Sequence, residues 1–234
     1  MKRMTKAILM CLSASMVLAG TPVEKLVPVK NVFSPAGFDS NDNVEVIIEG
    51  ELPNLCHRSP MKQVAITGNK IDIKITALNY QDSNPYCPQM VVPFLEKVDL
   101  GVLHKGDYVI LVNGKSIYEQ TGSIRVDESI SDAVDESVYA NVDYIVTKEG
   151  SRQVLLKGYN PSDCFVLDEI KVSNNKNNVY SVQPKMKQIS DFCPMKMVPF
   201  KYELEVPKSL KKEKVLLHVR VMDGQSVNSL FLNK

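Results

Sequence analysis

Tryptophan is absent from the 234 residues, and only three histidines occur. The first absence removes the ring that antibody-type domains pack against their inter-sheet disulfide. The second leaves little material for acid–base catalysis near neutral pH. His57, His104 and His218 are scattered, and His218 alternates with Leu217 and Val219, which turns it away from the apolar face and beside Arg220. A G-x-S-x-G elbow, a phosphate-binding loop, an H-E-x-x-H pair and a Rossmann glycine run are all missing. Neither sign of charge dominates: 28 Lys and Arg face 27 Asp and Glu, a net of +1. That balance argues against nucleic acid, which needs a concentrated basic patch. Beyond the N-terminus no run is apolar enough to span a bilayer. The expectation is a chain that is not an enzyme, carries no cofactor and binds no nucleic acid.

A pattern that occurs twice is what the chain does contain. Gly50-Glu51-Leu52-Pro53-Asn54-Leu55-Cys56 is followed by Cys87-Pro88-Gln89-Met90-Val91-Val92-Pro93-Phe94 and then by Asn113-Gly114-Lys115-Ser116-Ile117. The same order returns as Gly158 to Cys164, Cys193-Pro194-Met195-Lys196-Met197-Val198-Pro199-Phe200 and Asp223-Gly224-Gln225-Ser226-Val227. Self-similarity over such a period predicts two copies of one domain in tandem.

The start reads as a targeting segment: Lys2, Arg3 and Lys6 precede the apolar run 7–19, with small residues before a cleavage site after Ala19 or Gly20. Residues 1–19 are therefore expected to be a signal peptide, with no membrane span once it is removed. Cys11 leaves with it, and the net charge becomes slightly negative. Four cysteines remain, an even number suited to an oxidising compartment. Four allow three pairings, and the repeat selects Cys56–Cys87 and Cys164–Cys193, one bridge per copy. Each closes a loop of about 30 residues, worth roughly 3–4 kcal/mol through the unfolded state. The wide spacing lacks the short C-x-x-C pairs of a zinc site.

Between these landmarks the periodicity is that of strands. Val44–Ile48 opens one, and Lys70–Ala77 alternates apolar with polar after a Gly68-Asn69 turn. Phe200, Tyr202, Leu204 and Val206 alternate with Lys201, Glu203 and Glu205. Each copy is expected to close on a tight hairpin, 107–112 meeting 115–118 across Asn113-Gly114, and 215–222 meeting 225–231 across Asp223-Gly224. Both turns are read as type I′. The paired prolines at 88/194 and 93/199 predict an irregular edge guarded against edge-to-edge pairing. Residues 20–42 read as a loose leader lying along the first domain. Residues 43–126 are read as the first sandwich and 138–234 as the second. Asp127, Glu128, Asp132, Asp135 and Glu136, with no base among them, mark 127–137 as an acidic linker rather than a calcium loop.

These residues resemble an immunoglobulin-like or fibronectin-III-like domain of exported bacterial proteins with no assigned activity. The first copy carries the likeness in Leu52-Pro53, Cys56, Cys87, Gln89, Pro93-Phe94, Val98, Leu100-Gly101, Leu103, Gly106, Tyr108 and Val112-Asn113-Gly114. The second departs from it, with Asn160-Pro161 at the Leu-Pro position and no Leu-Gly or Gly-x-Tyr piece. The resemblance implies a β-sandwich in a cell-envelope setting and brings no catalytic residues.

The expected fold is therefore all-β, two tandem immunoglobulin-like sandwiches, each with an internal disulfide, preceded by a signal peptide. The expected function is non-catalytic: a periplasmic or secreted protein that binds or scaffolds an envelope protein or a glycan through loops or a sheet edge. Tyr80 and Tyr86 are the candidate contact residues. The specific alternative is copper binding by Met195 and Met197, whose thioethers suit Cu(I). Against it stands the reading of these methionines as fillers of core or inter-domain gaps. Oligomeric state is left open.

Overall fold

A computed structural model describes residues 21–84, 86–131, 137–148, 150–160, 162–208, 210 and 213–232. The expected signal peptide and residues 132–136 of the acidic linker lie outside the described residues. The first half is built from β1 (Val23–Leu26), β2 (Val29–Phe33), β3 (Phe38–Asp39), β4 (Asn43–Leu52), β5 (His57–Thr67), β6 (Lys70–Asn79), β7 (Val92–Val102), β8 (Gly106–Val112) and β9 (Gln120–Asp127). The second half contains β10 (Val138–Tyr139), β11 (Asn141–Thr147), β12 (Gln153–Asn160), β13 (Phe165–Asn174), β14 (Val179–Gln188), β15 (Val198–Glu205), β16 (Lys214–Arg220) and β17 (Ser226–Leu232).

In the first half a three-stranded sheet, β2-β4-β7, faces a six-stranded sheet in which β5 and β8 flank β6. Strand alternation places Val44, Val46, Ile48 and Val98 of one sheet against Ile71, Ile73, Ile75 and Ile110 of the other, and these form one buried core. The second half has the same layout: β11-β12-β15 faces a five-stranded sheet in which β13 and β16 flank β14. Its core holds Leu156, Val182, Leu217 and Val219, with Phe200, Tyr202 and Leu204 packed against it. The two halves share an equivalent parallel pair, β6 with β8 and β14 with β16, and the first half adds a short one, β3 with β9. The chain is all-β among its described residues, and two disulfides close it at Cys56–Cys87 and Cys164–Cys193, with Cα separations of 5.7 and 5.4 Å.

Gly50 and Gly158, which open the two sequence motifs, have a steric role. A Cβ at Gly50 would stand 2.3 Å from the Phe94 ring and 2.6 Å from the Pro28 carbonyl oxygen; one at Gly158 would stand 2.0 Å from the Asn141 carbonyl oxygen. A Cβ at either position forces the neighbouring backbone to move away.

Two expectations change. The described part of the expected leader 20–42, residues 21–42, is not loose. β1 pairs with β6, β2 with β4 and β3 with β9, and Val27, Val29 and Phe33 are buried. The segment supplies strands and core side chains to the first sandwich. The hairpin at Asn113-Gly114 is also different: Val112 pairs with Gln120, so 113–119 is a longer loop, with positive φ at Asn113 and Lys115. The Asn113 side chain is committed elsewhere, accepting from Ile75 N–H at 2.8 Å and donating to the Val27 carbonyl at 3.0 Å. It bridges the seam where β1 and β8 share one edge of β6. At Asp223-Gly224, by contrast, both central residues have positive φ, 60° and 64°, as a type I′ turn requires. The Gly68-Asn69 turn joins Thr67 to Lys70 directly.

Candidate functional site

The two halves meet on β4 and β16, each buried on both faces. On β4 the residues between the core positions are Glu45, Ile47 and Glu49; on β16 they are Lys214, Leu216, His218 and Arg220. These outward rows lie on one another. Lys214 pairs with Glu49, His218 Nε2 lies 3.0 Å from Glu45 Oε1, and Arg220 Nη1 donates to Asp42 Oδ2 at 2.8 Å. Between the ion pairs Ile47 and Leu216 join Phe33, Val179 and Leu230 in a small apolar cluster. The two strands thus cross the joint in antiparallel sense, and the acids come from one half while the bases come from the other.

The loop 34–37 reinforces this contact. Ala36 N–H donates to Ser181 Oγ at 3.0 Å, Ser173 Oγ donates to the Ala36 carbonyl at 3.2 Å, and Asn175 Nδ2 donates to the Ser34 carbonyl at 3.3 Å. Gly37, at φ 93°, offers its carbonyl to Gln183 Nε2 and Arg220 Nη1. The Arg220 guanidinium lies over the rings of Phe38 and Tyr139, and Phe38 meets the His218 ring edge-on at 5.9 Å.

Glu45 is the electrostatic centre. Burial alone would raise its carboxyl. The hydrogen bond and charge of His218, the Ser226 hydroxyl and the Lys97 ammonium together outweigh burial and hold it at about 2. Buried His218 Nδ1 and Asn228 Oδ1 have no hydrogen-bond partner, and the two residues stand directly opposite in the β16–β17 ladder.

The residues singled out in the sequence fall elsewhere. Tyr80 and Tyr86 do not form one exposed pair. Tyr80 is half-buried beneath the Arg58 guanidinium, with its N–H on the Cys56 carbonyl, whereas Tyr86 is 81% exposed. Met195 and Met197 are not fillers: they are 98% and 67% exposed, and they precede β15 instead of sharing a strand face. Among the described residues no three His, Cys, Asp or Glu side chains converge as a metal site. His57 is held between Asn54 Oδ1 and Asn79 Nδ2, both at 2.8 Å, and burial, with Lys25 adding to it, pushes its ring below the usual range. His218 does point away from its own core, but into the other half rather than into water.

Two connections in equivalent places carry the exposed apolar side chains. Residues 80–91 join β6 to β7 and present Tyr86, Met90 and Val91; residues 189–197 join β14 to β15 and present Ile189, Phe192, Met195 and Met197. Each is tied down by the second cysteine of a disulfide. β4 runs toward the first of these connections. β16 runs parallel to β14, and so toward the second. Because β4 and β16 cross in opposite directions, the two apolar loops lie at opposite ends of the molecule.

Among the described residues no helix is long and apolar enough to cross a membrane. No curated protein and no solved structure matches the chain. Residues 46–124, the body of the first half from β4 into β9, match the family described as the ORF11 beta-sandwich domain.

Proposed function

We propose that this protein is a non-catalytic, exported binding or scaffolding component of the bacterial cell envelope, a tandem pair of immunoglobulin-like sandwiches that grips another envelope protein by its apolar loops. The supporting observation is the pair of disulfide-anchored loops at opposite ends, with Phe192 83% exposed and Tyr86 and Met195 similarly open. Large aromatic and thioether side chains in water are costly to a free surface and serve as anchors in an interface. The two bridges and the basic-then-apolar N-terminus support export.

The test is capture from a native envelope extract by the mature chain, beside Tyr86→Ser and Phe192→Ser variants. The wild type retains a discrete envelope protein, each single variant weakens retention, and the double variant abolishes it at unchanged melting temperature. Equal capture by the double variant and the wild type, or capture of glycan alone, contradicts this reading.

A further inference from the structure

We propose that the joint between the halves is an acid-operated latch: protonation of the buried Glu45 carboxylate parts the two sandwiches while each stays folded. The argument is the segregation of charge. The carboxylates of Asp42, Glu45 and Glu49 lie on the first half, and Arg220, His218 and Lys214, which answer them, all lie on β16. Asp42, Glu45, Glu49, His218 and Arg220 are all buried. A buried ion is tolerated only while its partner keeps its charge. Neutralising Glu45 leaves the bases of β16 pressed against a face that also holds Lys97.

The groups around Glu45 are His218 from β16, the Ser226 hydroxyl from β17, and Lys97 from β7, itself paired with Asp99 at 2.8 Å. Asn31 Nδ2 from β2 donates to Glu49 at 2.7 Å. Among these, only the carboxylates lose charge in acid. Glu45 is held at about 2 against an ordinary 4.5, so it favours docking at neutral pH, and that contribution fades as pH falls from 4.5 through about 2. Losing that contribution weakens docking once Glu45 is protonated. Each sandwich has its own core and disulfide, so neither depends on the joint for closure. Parting uncovers Phe33, Ile47, Val179, Leu216 and Leu230, a small apolar face hidden in the docked form.

Small-angle scattering of the mature chain from pH 7 to pH 2, with far-ultraviolet circular dichroism in parallel, tests the latch. The expected result is a radius of gyration that rises below pH 4.5 while strand signal persists, with Glu45→Gln and Asp42→Asn each shifting the rise toward neutral pH. A Glu96→Gln control, on the exposed Lys62 pair, leaves the rise in place. Simultaneous loss of compactness and strand signal overturns the proposal. So does a constant radius down to pH 2, or a wild-type-like rise in both joint variants. None of these readouts depends on a binding partner, so failure here is distinct from failure of the proposed function.

Discussion

Replacing Arg220 with alanine is the sharpest perturbation of the joint. Its guanidinium makes a two-armed contact with Asp42, bonds the Gly37 carbonyl at 3.2 Å, and lies 5.5 and 5.1 Å from the Phe38 and Tyr139 ring centres. Truncation strands the Asp42 carboxylate, which keeps the Asp39 N–H at 2.9 Å but loses its cation. Stranding one member of a buried pair costs about 3–5 kcal/mol. Asp42→Asn preserves shape and removes charge, at about 2–3 kcal/mol. The double variant leaves no unanswered ion, so its cost falls short of the sum by about 2 kcal/mol. Urea unfolding at pH 7 measures all four proteins, with the slope checked for constancy. The exposed Lys105–Glu128 pair, at a comparable 3.0 Å, is the control, and its coupling stays below about 1 kcal/mol. The reasoning fails if Arg220→Ala costs under about 1 kcal/mol, or if the buried pair couples no more strongly than the exposed one.

Two further outcomes follow from the fold. Gly158→Ala, which sets a Cβ against the Asn141 carbonyl, destabilises by about 3 kcal/mol or more in thermal unfolding, whereas Gly106→Ala, which meets the movable Asn69 amide at 3.2 Å, costs about 1 kcal/mol or less. Cys164→Ser/Cys193→Ser removes about 3–4 kcal/mol of stability by chain entropy. That loss appears in chemical unfolding of the second half, and the Cys56–Cys87 bridge persists in peptide maps of unreduced protein.

Much of the fold was legible because local rules and burial agree there. The alternation in β6 and β15, the Gly68-Asn69 and Asp223-Gly224 turns, and the disulfide pairing implied by the repeat all correspond to what the chain forms. The leader was misread because β1 to β3 are short, and they are buried by strands distant in sequence rather than by any periodicity of their own. The Asn113 turn was misread because its amide satisfies two backbone groups across a seam, a demand no dipeptide preference reports. The joint was hidden for a related reason. An apolar–charged alternation reads as a half-exposed strand, yet the charged rows of β4 and β16 cover each other, with Glu45 and His218 173 residues apart. The available signal was the pairing of acids at 45 and 49 with bases at 214, 218 and 220 at strand spacing. The methionines gave none: Met195 and Met197 carry no polarity to mark them as exposed.

Residual dipolar couplings of backbone amides at pH 7, in protein lacking residues 1–19, address the docked joint directly. A single alignment tensor should fit amides of β5 to β8 and of β13 to β16 together, since Asp42, Glu45 and Glu49 lock the first half onto Arg220, His218 and Lys214. Two tensors of different magnitude, one for each half, would show sandwiches that tumble separately and would contradict a buried joint.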